Sequence, residues 1–68
     1  MIITVQCMAR HWAVLDPQAR DTLSFATGAD AFDAAAALAL EHHRRTGQRS
    51  TVRVAAFGST VDALHVGE

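Results

Sequence analysis

An alanine-rich stretch from Thr27 to Thr46 is the strongest structural signal in this chain of 68 residues. Its body consists of residues that favour helices. Thr27 and Asp30 have the spacing of a helix N-terminal cap, in which the threonine oxygen accepts a hydrogen bond from an otherwise unpaired backbone N–H. After the basic residues of the last turn, which complement the helix dipole, Gly47 suits the left-handed position that ends a helix. The stretch therefore predicts one helix with defined ends.

Short β-type runs flank this helix. Residues 2–5, 12–15 and 22–25 are rich in β-branched, aromatic or alternating apolar side chains, and the first two runs fit either two strands or one long bulged strand. A turn is predicted at 16–21, where a proline follows an aspartate. We expect a single α+β domain, residues 1–68, in which an antiparallel sheet with the order β-β-(β)-α-β-β carries one α-helix on one face.

The segment after the helix predicts a β-hairpin. Two alternating runs, 51–57 and 60–66, surround Gly58-Ser59, a pair typical of a two-residue type II′ turn. That register pairs Val54 with Ala63. The face assigned to the core then carries Val52, Val54, Ala56, Val61 and Ala63.

Three features of the sequence predict self-association. A domain of about 60 residues buries only about 60% of its unfolded surface, and the single cysteine, Cys7, excludes an internal disulfide. The helix is apolar beyond one face, with a predicted sheet-facing centre at Phe32, Ala35, Ala36, Ala39 and His43. The hairpin register leaves three apolar side chains exposed on its second face, unless the register is off by one. We therefore predict a homodimer with two-fold symmetry, formed through the outer face or the edge of the 51–66 hairpin, and an unknown protein partner. The residues predicted for self-association are Phe57, Leu64 and Val66.

The composition excludes several classes of protein. A formal net charge of −1 gives no overall attraction to nucleic acid or to anionic membranes, and no run is long enough to span a bilayer. The first residues lack the basic start and apolar core of a signal peptide, so a cytoplasmic location is the default expectation and no membrane partner is expected. All six cationic side chains are arginine, which with the abundant alanine is typical of a GC-rich bacterial genome.

Catalytic and metal-binding patterns are weak. His42 and His43 are adjacent on the predicted helix and point about 100° apart, so they do not face one ion together. Cys7 and His11 lie in a strand region, where a spacing of four is not a pair on one helix face, and a lone cysteine in a β-branched strand is most often a small core residue. We predict no enzyme, no metal and no cofactor, with one of the two helix histidines packed on the sheet.

A cluster of arginines is the main alternative functional signal. Arg44, Arg45 and Arg49, with Arg53 nearby in the sequence, concentrate positive charge at the end of the helix and in the following loop. Such a cluster suits phosphate groups, so it predicts nucleic-acid or anion contact. The simpler explanation is that cations are favourable at a helix C-terminus.

Several of these pieces together resemble a family of short bacterial proteins known only as a domain of unknown function. The matching pieces are Trp12-Ala13-Val14, Thr27–Ala31 and Val52-Arg53-Val54, with Gly58 at the hairpin. Members of that family have a Thr-x-x-Glu-Ala helix start and an Asp-Gly hairpin turn. This chain has Asp30 and Phe57-Gly58 instead, and it has no lysine. The resemblance implies the fold, and it brings no catalytic residues.

Residues 24–32 also resemble, more loosely, the corresponding part of small antitoxins that have a degenerate RNase H-like sheet. In those proteins a strand ending in Phe leads through a tight turn into an alanine-rich helix. The function predicted from the sequence is a non-enzymatic bacterial interaction or accessory module that acts as a homo-oligomer. The antitoxin resemblance implies a regulatory role as the alternative. Those antitoxins normally carry a further DNA-binding segment, for which this chain is too short.

Overall fold

The computed structural model describes residues 1–17 and 22–67, and these form one sheet and one helix. In chain order the elements are β1 (Ile2–Cys7), β2 (Trp12–Leu15), β3 (Leu23–Phe25), α1 (Gly28–Thr46), β4 (Ser50–Ala56) and β5 (Ser59–Val66). The predicted α+β class is confirmed, and residues 2–15 form two strands. Residues 18–21 of the predicted turn at 16–21 lie outside the described part of the chain.

The five strands form a mixed sheet in the order β3-β2-β1-β4-β5. The expected all-antiparallel sheet was wrong, because β1 and β4 are parallel neighbours, with Ile3 opposite Val52 and Val5 opposite Val54. Parallel neighbours require a long crossover connection, and here the β2–β3 ribbon and α1 provide it. This arrangement places β1 at the centre of the sheet, between β2 and β4.

Both ends of α1 are closed as predicted. Thr27 Oγ1 accepts a hydrogen bond from the Asp30 N–H at 3.1 Å. Gly47 adopts the left-handed conformation with φ 73°, and its N–H donates to the His43 carbonyl at 2.7 Å. No helix in the described ranges has the length and apolar character needed to cross a membrane.

The core lies between one face of the sheet and a row of small side chains on α1. The buried helix positions are Ala31, Ala35, Ala39 and His42. The predicted centre shared Ala35 and Ala39 with this row but had Phe32, Ala36 and His43 in place of Ala31 and His42. The buried row is rotated because alanines occur on several sides of the helix, so periodicity alone does not identify the contact face. The sheet contributes its most buried apolar residues to this core, Ile3, Val5, Val14 and Val52.

The hairpin is confirmed, but its turn is displaced by one residue. Ala56 pairs with Ser59, so the two turn residues are Phe57 and Gly58 rather than Gly58 and Ser59. Both have positive φ, 53° and 76°, which is the pattern of a type I′ turn rather than the predicted type II′.

A β-bulge in β5 then changes which residues face the helix. Arg53 is opposite Asp62, but Val52 is opposite Leu64, so Ala63 is the extra residue. Leu64 and Val66 therefore pack against the core cluster. Their predicted exposure on the outer face was wrong, as was the assignment of Val61 and Ala63 to the core, since both are exposed.

Candidate functional site

The outer edge of β5 is the most extensive unpaired backbone in the described part of the molecule. β5 has eight residues and pairs only with β4, whereas β3 at the other edge has three. An edge strand presents N–H and C=O groups that can pair with another chain. Val61 lies on this edge, opposite the half-buried Val54, so its side chain is on the helix side of the sheet. It is nevertheless 59% exposed.

An aromatic side chain stands at the tip of the same hairpin. Phe57 is 90% exposed, and its φ of 53° lies in the left-handed region, which is unfavourable for a bulky residue. Asn or Asp fits this turn position better. The chain therefore holds an exposed phenyl ring in a strained turn, and such strain is concentrated at functional sites.

The sheet face that α1 does not cover, called here the open face, carries two polar pairs beside this edge. Arg53 Nε donates to Asp62 Oδ1 at 2.7 Å, and Thr51 Oγ1 is hydrogen-bonded to His65 Nδ1 at 3.2 Å. The hydrogen bond from Arg53 lowers the pKa of Asp62; partial burial opposes the shift, and the charges of Arg53 and His65 add to it. The ion pair is thus present at neutral pH and is lost only as the pH falls through the lowered pKa of Asp62.

The four arginines predicted to form one cluster lie on two different surfaces of the structure. Arg44, Arg45 and Arg49 are exposed around the end of α1, but Arg53 lies on the open face in its ion pair with Asp62. Arg53 is therefore not part of the same surface. We call the first three residues, with His43, the basic cluster.

Hydrogen bonds to backbone groups hold the loop of the basic cluster in place. His43 Nδ1 donates to the Gln48 carbonyl at 3.1 Å, and the Gln48 N–H donates to Thr46 Oγ1 at 3.2 Å. The backbone nitrogen of Met1 donates to the Arg49 carbonyl at 2.9 Å. These contacts give the basic cluster a fixed backbone rather than a free tail.

Two polar side chains are buried at this end of the helix–sheet interface. His42 and Ser50 are each 2% exposed, and neither the ring nitrogens of His42 nor Ser50 Oγ has a hydrogen-bond partner among the described residues. The histidine packed on the sheet is thus His42. Within residues 1–17 and 22–67 no group of three or more His, Cys, Asp or Glu side chains could hold a metal ion.

Cys7 is half-buried and lines a shallow pocket of about 240 Å³ between the end of β1 and the β4–β5 turn. Its Sγ lies 3.8 Å from its hydrogen-bond partner, the Met8 carbonyl. No histidine lines this pocket, so the described residues do not place an imidazole beside the thiol there. The pocket instead borders the exposed hairpin tip.

Comparison with known proteins identifies no relative. No family model, no curated protein sequence and no solved structure matches the chain significantly. The resemblances drawn from its motifs therefore stay predictions, and the candidate site is defined by the geometry of this chain alone.

Sequence reasoning named the terminal strand as a possible pairing edge, but it treated Asp62 and His65 only as polar interruptions of that edge and assigned Val61 to the core. All three depend on the turn and the bulge, which together decide which side chain of β5 lies on which face. The signal for the turn was present, because the family resemblance placed it at Phe57-Gly58, where this structure has it. No comparable signal in the sequence marks the bulge.

Proposed function

We propose that this protein is a non-enzymatic bacterial interaction module that works in the cytoplasm as a homodimer, formed through the free edge of β5. The observation that carries the proposal is the eight-residue unpaired edge with Val61 exposed on it. Strand addition at such an edge supplies main-chain hydrogen bonds and covers apolar side chains at the same time. A second copy also supplies the buried area that a domain this small lacks.

The exposed ring of Phe57 supports the same proposal. A left-handed turn position occupied by a phenylalanine costs stability that Asn would restore. A contact between this side chain and a partner would offset such a cost. Among the partners predicted from the sequence, the edge favours a second copy of the chain, because the hairpin that presents Phe57 also presents the unpaired strand.

Val61→Lys is expected to weaken the dimer about tenfold or more, which corresponds to about 1.4 kcal/mol or more. A lysine on an edge strand opposes pairing with another strand because its charge must be desolvated or turned aside. Sedimentation equilibrium over a range of protein concentrations measures the dissociation constant. Leu23→Lys is the matched control, since Leu23 is 43% exposed on the opposite edge strand, β3.

A monomeric wild type at the highest soluble concentration would overturn the proposal, and so would equal weakening of the dimer by Leu23→Lys.

Phe57→Asn adds a second measurement. It is expected to raise the unfolding midpoint of the chain at low concentration, where the monomer dominates, because Asn suits the type I′ turn. An unchanged or lower midpoint would show that the ring stabilises the monomer itself.

The basic cluster favours nucleic-acid binding as a second candidate function. Arg44, Arg45 and Arg49 are exposed on a fixed loop and helix end, and two copies would present two such clusters. An antitoxin-like regulatory role is one form of this candidate.

A titration of labelled DNA and RNA at low and moderate salt separates the two candidates. If the basic cluster binds phosphates, affinity falls steeply with salt, and an Arg44→Ala/Arg45→Ala variant loses most of it. The control compares Arg53→Ala with the single variant Arg44→Ala, since each removes one positive charge and Arg53 lies on the open face, away from the cluster. Equal losses in both variants, or no salt-sensitive binding, would rule out a nucleic-acid site at the basic cluster.

A further inference from the structure

The bulge in β5 brings an aspartate and a histidine into an arrangement that a regular strand does not allow. Asp62 and His65 are three residues apart, so in a regular strand they would face opposite sides. Because Ala63 is the extra residue, Asp62 and His65 instead lie on the same open face, opposite Arg53 and Thr51. Arg53 and Thr51 hold these two side chains on that face through one hydrogen bond each.

This spacing makes the edge complementary to itself. Two copies of an antiparallel strand related by a two-fold axis place one central residue opposite its own copy, and its neighbours pair in mirror order. If Leu64 is that central residue, and the bulged Ala63 is left out of the pairing, Asp62 is opposite the partner's His65. On the helix side of the sheet, Val61 is opposite the partner's Val66. Each pair occurs twice, and each joins side chains on the same face.

We propose that β5 pairs with β5 of a second copy in this register, which joins the two sheets into one continuous ten-stranded sheet with both helices on the same face. The proposal rests on the proposed homodimer and specifies its geometry. Two pairs of a carboxylate with an imidazole, Asp62 with the partner's His65 and the reverse, would select the register. The contact of Val61 with the partner's Val66 covers the largest exposed apolar group within the strand itself.

The hydrogen bonds within one copy leave one polar atom of Asp62 and one of His65 available for the contact between copies. Arg53 engages Oδ1 of Asp62, which leaves Oδ2 for a second donor. Thr51 engages Nδ1 of His65, and in the tautomer whose Nδ1 accepts from the threonine hydroxyl, Nε2 carries the proton that a carboxylate can accept. Arg53 and Thr51 thus orient the two side chains on the open face, and the cost of ordering them is largely met before association.

Other registers are less favourable. A shift that centres Asp62 on the axis places two carboxylates opposite each other, and a shift that centres His65 does the same for two imidazoles. Centring Val61 leaves His65 without an acidic partner within β5. Bulges commonly protect an edge by twisting it. In the proposed register the two-fold axis places the bulges of the two β5 strands next to each other, so both β5 edges have the same twist.

A charge exchange tests the register. His65→Glu places a carboxylate opposite the partner's Asp62, and Asp62→Lys places a cation opposite the partner's His65. Each variant alone is expected to raise the dimer dissociation constant about tenfold or more. An equimolar mixture should form a heterodimer close to wild-type affinity, because the introduced lysine would meet the introduced glutamate across one half and the native pair would meet across the other. Gln6→Glu is the control, since it adds the same charge to the open face on the central strand β1.

The outcomes distinguish this inference from the proposed function. If the wild type is a dimer and His65→Glu changes its dissociation constant no more than Gln6→Glu does, the register is wrong and the homodimer stands. A monomeric wild type would overturn both. If Asp62→Lys fails to fold, as circular dichroism would show, the comparison of His65→Glu with Gln6→Glu decides alone. Failure of two folded variants to recover affinity on mixing would also contradict the register.

Discussion

Ile3→Ala is expected to destabilise the protein by about 2–5 kcal/mol, the usual cost of truncating a buried isoleucine. Ile3 is fully buried and lies opposite Val52 in the parallel pair at the centre of the sheet. A chain of 68 residues has about 3–10 kcal/mol of stability in total, at roughly 0.05–0.15 kcal/mol per residue. The variant should therefore be largely unfolded at 37 °C, or fold only at high protein concentration if the dimer supplies stability.

The neighbouring residue provides the control for this experiment. Ile2 has the same side chain on the same strand but is 43% exposed, because it points to the other face. Urea unfolding followed by circular dichroism should show Ile2→Ala losing about 1 kcal/mol or less, since less apolar area returns to water. Equal losses for the two variants would contradict the assignment of the helix-covered face.

Ala35→Leu is expected to cost about 1–3 kcal/mol, because a larger side chain at this position pushes the helix away from the sheet. Ala31, Ala35 and Ala39 are fully buried and form the helix side of the core. Small side chains here allow the helix backbone to approach the strands closely. The midpoint of thermal unfolding should fall by about 4–8 °C for each kcal/mol in a domain of this size.

The matched control is Ala37→Leu on the exposed side of the same helix. It introduces the same side chain and nearly the same helix propensity, so its effect should stay within about 0.5 kcal/mol. A destabilisation by Ala37→Leu as large as that by Ala35→Leu would mean that this side of α1 is also packed, for example against a second copy. Repeating both measurements at several protein concentrations identifies that case.

Predictions that depended on local chemistry were accurate. The helix begins after Thr27 and ends before Gly47 because capping and the left-handed C-terminal position are decided by a few neighbouring residues. The flanking strands followed from β-branched runs for the same reason. The hairpin was predicted, but its turn was not, since both Phe57-Gly58 and Gly58-Ser59 contain the glycine that a tight turn requires.

Predictions about which residues share a surface were less accurate. Four arginines close in sequence suggested one basic site, yet Arg53 lies on the open face, because a strand sends alternate side chains to opposite sides. Leu64 and Val66 were expected to be exposed and instead pack against the core. The candidate interface moves with them, from Leu64 and Val66 to Val61, Asp62 and His65.

The sequence by itself determined the element order, the ends of the helix and the α+β class, since each depends on residues within one turn of helix or one short strand. Only the tertiary structure decided that β4 lies parallel to β1, that His42 rather than His43 is buried, and that Ala63 is bulged. These features depend on contacts between distant segments, where the free energy of burying apolar area overrides local preference. A one-residue bulge is enough to reverse the faces of a strand, and with them the surface that a partner meets.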